Sequence, residues 1–266
     1  MALDTMQDAI DVEPVVSCAR FNFSAGNSVQ PKTNFCAQCT AHKFALCAKL
    51  SGNDLAAFGA GSVHKKIEAG QMLFSECDDA SYLYTVVEGE VRLSRMLDDG
   101  RRQITGFKSE GDFVGLSADG KYAADAEAIN DVTVCQFSVS GLNHSLEEYT
   151  AVQSRLMEMM QEEVVNLQNQ MLLLGRKTPI EKMANFIAER VKRNVEHGRI
   201  ASDANTVEIS LPMSRTDIAD FLGLTIETVS RTFTKLRKLG VIELKTSQNI
   251  IVSDLSELQF LADGDV

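Results

Sequence analysis

The sequence predicts an α+β chain in which a β-rich N-terminal half, one long helix and a C-terminal winged helix-turn-helix follow in series. Three observations carry this. Between about Val63 and Phe137, short apolar runs alternate with turn signals. From Leu146 to Leu174 neither glycine nor proline interrupts a heptad pattern. After Ser214, two short helical stretches flank Gly223 and lead into a strand, a turn and a strand.

A chain of 266 residues has room for two modest domains, each with its own core. With 44% hydrophobic and 24% charged residues, the composition is that of a globular protein rather than a disordered or membrane one. No apolar run reaches the roughly 18 residues of a spanning helix. The acidic start, MALDTMQDAIDVEP, lacks the basic and apolar regions of a secretory signal, so a cytoplasmic location is expected. Thiols stay reduced there, and the six cysteines then read as metal ligands or reactive groups rather than a disulfide frame. A net charge of -11 gives no long-range attraction to nucleic acid, so DNA binding requires a local basic surface.

Residues 1 to 35 show no clear period and contain Pro14, Gly26, Asn27 and Pro31, which reads as a weakly structured arm. NFCAQCTAHKFALC follows, placing Cys36, Cys39 and Cys47 within a dozen residues. By spacing alone a structural zinc site, a dithiol pair and an iron-sulfur ligand set all stay open. The dithiol reading expects a βαβ context that is missing here.

In the β-rich part, SYLYTVVEGEVRLSRML, DDG and RRQITGF read as consecutive strands with a hairpin turning at Asp98, Asp99 and Gly100. Several such strands suggest an antiparallel barrel or sandwich. In the long helix, Met157, Met160, Val164, Leu167, Met171 and Leu174 recur at alternating steps of three and four, the a and d positions of a homodimer seam. Leu156, Met159, Val165, Leu172 and Leu173 form a second apolar face, expected to pack on the helix's own domain. Gly175 and Pro179 end this helix, and PIEKMANFIAERVKRNV starts another with proline in its first turn.

Ser214 with Asp217 three residues on resembles a capping box, Gly223 permits the turn, and Thr225 can cap a second helix running to about Leu239. Glu227, Ser230, Arg231 and Lys235 project from one polar face of that helix. Arginine pairs with a guanine edge and glutamate accepts from a cytosine amino group, while Lys235, Arg237, Lys238 and Lys245 are placed to neutralise phosphates. A solvated amphipathic helix would show similar charges, but not the helix, glycine turn, helix and wing in series. No nucleophile-base pair, phosphate loop or carboxylate pair emerges, so an enzyme is not expected.

The order of cysteine arm, barrel, heptad helix and winged helix-turn-helix resembles the cyclic AMP receptor protein superfamily of bacterial transcription regulators. The closest resemblance is to its fumarate and nitrate reductase regulator (FNR) branch. It covers nearly the whole chain after about residue 34. CAQC with Cys47, RRQITGF with GDFVG, VCQF around Cys135, LLLGRK into MANFI, and above all DIADFLGLTIETVSR carry it.

The resemblance implies a cyclic-nucleotide-binding-like β-roll. The chain then divides into an arm with the cysteines (1–50), a sensory β-roll (51–145), a dimerisation helix (146–176) and a DNA-binding domain (177–266). It implies a fourth ligand, Cys135, and with Cys36, Cys39 and Cys47 a [4Fe-4S] cluster whose loss in oxygen favours monomers and releases DNA. It further implies that Glu227, Ser230 and Arg231 read a TTGAT-like half-site of an inverted repeat. RNA polymerase is an implied partner, with Asp78 to Ser81 and Asp98 to Arg102 as candidate contacts.

Seven residues separate Cys39 from Cys47, where the best-known members have five. An acidic residue in well-known relatives is replaced here by Leu167, which predicts a stronger seam. Tyr122 and Ala123 stand where the cyclic-nucleotide branch has an Arg-Ser pair, so no cyclic nucleotide is expected. None of His42, His64, His144 and His197 is a strong haem ligand candidate. Cys18 and Cys77 match no ligand role and are expected as plain thiols.

Overall fold

In a computed structural model, residues 35–201, 204 and 206–264 are described. The arm before residue 35, and Cys18 within it, lie outside the described residues. The cysteine loop contains two short 3-10 turns, Cys36–Gln38 and Thr40–Lys43. Helix α1 (Gly52–Ala60) leads into eight strands: β1 (Ser62–Ile67), β2 (Met72–Phe74), β3 (Tyr82–Glu88), β4 (Val91–Met96), β5 (Arg102–Lys108), β6 (Phe113–Val114), β7 (Asp125–Ala128) and β8 (Val132–Ser138).

The strands form two antiparallel four-stranded sheets, ordered β1-β8-β3-β6 and β2-β7-β4-β5. Ile67, Phe74, Tyr84, Val86, Val91, Ala126 and Val134, drawn from both sheets, share one core, which makes the unit a β-roll. The expected turn at Gly100 is present with φ +82° and joins β4 to β5. The preceding stretch does not continue the hairpin, because β3 and β4 belong to different sheets. A run of strand signals shows where strands lie, but which edge each one joins is a long-range choice.

Strand alternation turns one sheet into a two-sided partition. Tyr84 and Val86 of β3, with Val132 and Val134 of β8, face the roll core. Leu83 of β3 and Phe137 of β8 point the other way, into a second core with Leu46, Leu50, Leu55 and Phe58. That second core sits beneath the cysteine loop and α1.

Helix α2 (Val139–Glu148) is capped by Ser138, and α3 (Thr150–Arg176) runs for 27 residues, about 40 Å. The expected continuity from Leu146 fails at Tyr149, whose extended backbone (φ -115°, ψ 98°) separates the two helices. Absence of glycine and proline does not guarantee continuity, because burying Leu142 and Val152 in the cysteine-loop core sets the direction of each helix separately. Among the described residues no helix is long and apolar enough to cross a membrane.

The C-terminal unit comprises α4 (Pro179–Glu196), β9 (Val207–Ser210), α5 (Arg215–Leu222), α6 (Ile226–Lys238), β10 (Ile242–Leu244), β11 (Asn249–Val252) and α7 (Leu255–Asp263). Thr178 and Glu181 close a capping box at α4, and Ser214 and Asp217 close another at α5. Gly223 takes the left-handed conformation (φ 61°, ψ 44°) that the sharp turn requires. The wing strands β10 and β11 pair with β9 in a three-stranded sheet. Strand β9 and helix α7 carry no strong local signal, and they form because Ile209, Leu258 and Leu261 complete a shared core with Ile218 and Phe233.

Candidate functional site

Cysteine chemistry concentrates at the outer face of the β1-β8-β3 sheet. Cys36 begins the first 3-10 turn, Cys39 is the residue between the two turns, and Cys47 lies past the second. Because side chains alternate along β8, Cys135 points the same way as Phe137, away from the roll core and toward the loop. All four cysteines are free and line one apolar cavity with Leu46, Phe58, Gly59, Ser62, His64 and Thr85. The parity of VCQF, with Val134 inward and Phe137 outward, is the sequence signal for the side on which Cys135 lies.

Burial keeps these thiols protonated when they are alone. The Cys36 thiol is raised by burial and then by the neighbouring Cys39. Cys39 is raised by burial against opposing backbone hydrogen bonds from Ala41 and His42. Cys47 is pushed up to about 12 by burial, then by Cys39 and Cys36. Cys135 also reaches about 12 through burial, despite the Ser62 hydroxyl beside it. Four thiolates would repel one another here, and a bound metal's positive charge would invert the balance.

The donor set therefore fits a thiolate-bound metal group. Among the described residues, however, no three His, Cys, Asp or Glu side chains are grouped so as to hold a metal ion. The sulfurs line a cavity without meeting at a point. Glycine shapes one wall, since a Cβ on Gly59 of α1 would lie 2.4 Å from Cys36 Sγ. His64, the register partner of Cys135, meets Phe35 in a tilted ring pair with centroids 3.9 Å apart and planes 35° from parallel. Ser62 donates to the Gly59 carbonyl at 2.8 Å. Sequence spacing drew no attention to Gly59, Ser62 or His64, and only the parity of β1 would have placed the last two on this face.

Cys77 differs from the sequence expectation. It was expected as a plain thiol, but it is disulfide-bonded and has a φ of +68°. A turn signal locates such a residue but does not reveal whether its thiol is bonded.

Helix α3 presents Met157, Met160, Val164, Leu167, Met171 and Leu174 as an open stripe, each between 37% and 74% exposed. Leu156 and Met159 pack on the cysteine-loop core, and Leu173 is buried among the C-terminal helices. Val165 and Leu172, expected on that inner face, are instead exposed beside the stripe. The loop and this helix are joined directly. Lys49 pairs with Glu158 and donates to Ser154 at 3.2 Å, and Arg155 donates to the Phe44 carbonyl at 2.9 Å.

On α6, Glu227, Ser230, Arg231 and Lys235 are all exposed on one side, while Val229, Phe233 and Leu236 are buried on the other. Ser230, Arg231, Thr234, Lys235 and Lys238 line one open surface groove. Glu227's own backbone amide, the Thr225 hydroxyl and the Arg231 charge hold its carboxyl below the usual range, so it stays an ionised acceptor. Arg215 braces the back of the helix, its guanidinium 3.4 Å from the Phe233 ring centre.

Helix α5 is fastened to the roll. Asp217 is buried and accepts from Arg92 of β4 at 2.9 Å, Arg102 of β5 at 2.7 Å, and the Ser214 amide and hydroxyl. Burial alone would raise this carboxyl, but the Ser214 hydrogen bonds and both arginines hold it below the usual range. Arg102 also pairs with Asp220 at 2.7 Å, so this end of the loop expected to face polymerase is engaged within the chain.

In the roll, Tyr122 stacks on Phe74 at 3.8 Å and donates to the Tyr82 carbonyl at 2.7 Å. With Tyr84, whose ring centroid lies 5.8 Å from that of Phe74, these rings form an aromatic cluster in the roll interior.

Comparison with known proteins agrees with this geometry. Residues 64–149 match the cyclic nucleotide-binding domain, and residues 211–242 match the Crp family of bacterial regulatory proteins. The nitrogen fixation regulation protein FixK of Bradyrhizobium diazoefficiens is 39% identical over 216 residues, 81% of this chain and 89% of that protein. The transcriptional activator protein FnrL of Cereibacter sphaeroides is 33% identical, over 86% of this chain and 92% of its own. The solved structure of FixK2 from Bradyrhizobium japonicum superposes with a TM-score of 0.67 at 34% identity, covering 75% of this chain and 96% of that one. These relatives are regulators and not enzymes. With its β-roll, long helix and winged helix-turn-helix, the chain belongs to the Crp family of bacterial regulatory proteins and is a transcription regulator of the FNR/FixK type.

Proposed function

We propose that this chain is a homodimeric, cytoplasmic, oxygen-responsive regulator in which a [4Fe-4S] cluster on Cys36, Cys39, Cys47 and Cys135 promotes dimerisation and DNA binding at a TTGAT-like inverted repeat. The observation that carries the reading is that four free thiols, three from one loop and one from β8, line a single apolar cavity. A structural zinc would need the four sulfurs gathered around one ion. A cubane takes one thiolate per iron and holds the sulfurs farther apart, which suits donors lining a cavity. When bound, such a cluster supplies iron that oxygen can oxidise.

The remaining steps belong to the chain. Thiolates at Cys36, Cys39 and Cys47 clamp the loop to the sheet bearing Cys135. The clamped loop orients α3 through the contacts of Lys49 and Phe44 with Ser154, Arg155 and Glu158. Two copies then bury the stripe from Met157 to Leu174 against each other and present two α6 helices to successive major grooves. Glu227, Ser230 and Arg231 read base edges, and Lys235 neutralises phosphate. Oxygen exposure unties the loop, and a monomer keeps only half of the DNA contacts. The filled roll interior around Phe74 and Tyr122 supports the absence of a cyclic nucleotide. RNA polymerase is the expected further partner.

Anaerobic purification with iron and sulfide analysis, and visible spectra before and after air, test this reading. Four iron and four sulfide per chain with an air-labile charge-transfer band are expected. A colourless protein with one zinc per chain would overturn it.

A further inference from the structure

The seven residues between Cys39 and Cys47 do more than span the ligands. Phe44, at the end of the second 3-10 turn, leaves the cysteine cavity and lies face to face on His197, with ring centroids 3.9 Å apart and planes 8° from parallel. His197 is the C-cap of α4, the first helix of the DNA-binding domain. The β5–β6 turn lets the loop approach closely at Phe44. Gly111, in the β5–β6 turn at φ +88°, has no Cβ, and one placed there would lie 2.4 Å from Phe44 Cβ. Next to it, Glu110 pairs with Arg199, and its carboxylate stands 3.6 Å from His197 Nδ1. Arg193 of the same helix end holds Asp112 at 2.6 Å.

Beyond the stack the path is rigid. Phe186, Ile187 and Val191 of α4 share one tightly buried core with Ile218 of α5 and with Val229, Phe233 and Leu236 of α6. A displaced α4 end therefore carries the DNA-reading helix with it instead of being absorbed locally.

We propose that Phe44 is a positioning residue through which the cysteine loop acts on the DNA-binding domain directly, in parallel with the dimer helix. This rests on the cluster reading above. The length of the Cys39 to Cys47 step then has a purpose, since it extends the loop to reach α4. Phe44 is not among the residues that line the cysteine cavity, so its removal should weaken the link while sparing the metal site.

The test uses the full chain, purified without oxygen, and compares wild type, Phe44→Leu and His197→Tyr. Each is measured for iron per chain, and for affinity to a TTGAT inverted-repeat duplex before and after air. The readout is the ratio of the two affinities, because a purely structural loss would move both alike. Phe44→Leu should keep its iron and its air-exposed affinity while the ratio falls about three- to tenfold, the range of one aromatic pair. His197→Tyr, which retains a stacking ring, should keep the ratio. Hydrogen exchange at Asn194–Gly198 should respond to air in wild type and lose that response in Phe44→Leu. An unchanged ratio in Phe44→Leu, or loss of its iron, would overturn the proposal. Failure of the cluster reading would look different, because wild type itself would lack iron or bind DNA equally before and after air.

Discussion

Substituting Leu167 by aspartate is the most direct probe of the α3 seam. Leu167 keeps 50% of its surface exposed in the single chain. Full burial of a leucine side chain contributes about 1.5–3 kcal/mol, so covering the remaining half contributes about 1 kcal/mol in each protomer. At a d position the two copies face each other across the seam, and two carboxylates about 6 Å apart repel by roughly 3 kcal/mol at an effective dielectric of 20. After salt screening, the loss of association comes to about 3–4 kcal/mol, a roughly 100- to 1,000-fold rise in dimer Kd. Sedimentation equilibrium of oxygen-free wild type, Leu167→Asp and Leu167→Asn over a range of concentrations measures it. The asparagine variant lacks the charge, so it should fall between the other two, and added salt should narrow its gap to aspartate. Identical dimer Kd values for wild type and Leu167→Asp would mean that the stripe does not pair through this residue.

Three further outcomes follow from the geometry. Asp217→Asn leaves Arg92 and Arg102 facing a neutral amide and should cost about 2–4 kcal/mol. Because the folded Asp217 carboxyl is held low, its contribution is complete above the unfolded value near about pH 4 and fades as pH falls through the lower folded value. The melting-temperature gap between wild type and variant should thus be constant near neutrality and shrink in acid, and a pH-independent gap would contradict the assignment. Gly59→Val drives a side chain into Cys36 Sγ, so iron and sulfide per chain should fall, while Gly61→Ala, whose Cβ meets only the Phe58 carbonyl at 3.4 Å, should retain them. Equal metal content in the two would remove Gly59 from the cavity wall. Lys235→Ala should reduce the salt dependence of DNA binding by about one phosphate contact, whereas Arg231→Ala should cost about 1–3 kcal/mol and relax base preference. Titration of matched and mismatched duplexes at several salt concentrations separates the two roles.

The sequence by itself determined what short-range physics encodes. Capping at Ser214 with Asp217, the left-handed turn at Gly223 and the polar face of α6 depend on residues within a few positions of one another, and all are legible in one dimension. The heptad stripe is equally local, and its residues are exposed on the single chain. What lay far apart was decided only by the tertiary structure. Spacing alone could not bring Cys135 to the cysteine loop; β8 pairing with both β1 and β3 does so, and strand alternation then turns its thiol outward. The break at Tyr149, the disulfide at Cys77 and the split of β3 and β4 between sheets likewise contradicted smooth local patterns. Asp217 read as a simple cap, yet in the fold it also anchors α5 to two arginines of the roll. Phe44, an ordinary aromatic in a loop, meets a histidine more than a hundred residues away. The physical reason is common to all of these. Periodicity and turn chemistry report the conformation of a segment, whereas a partner across the core is selected by packing and charge once distant segments are folded together.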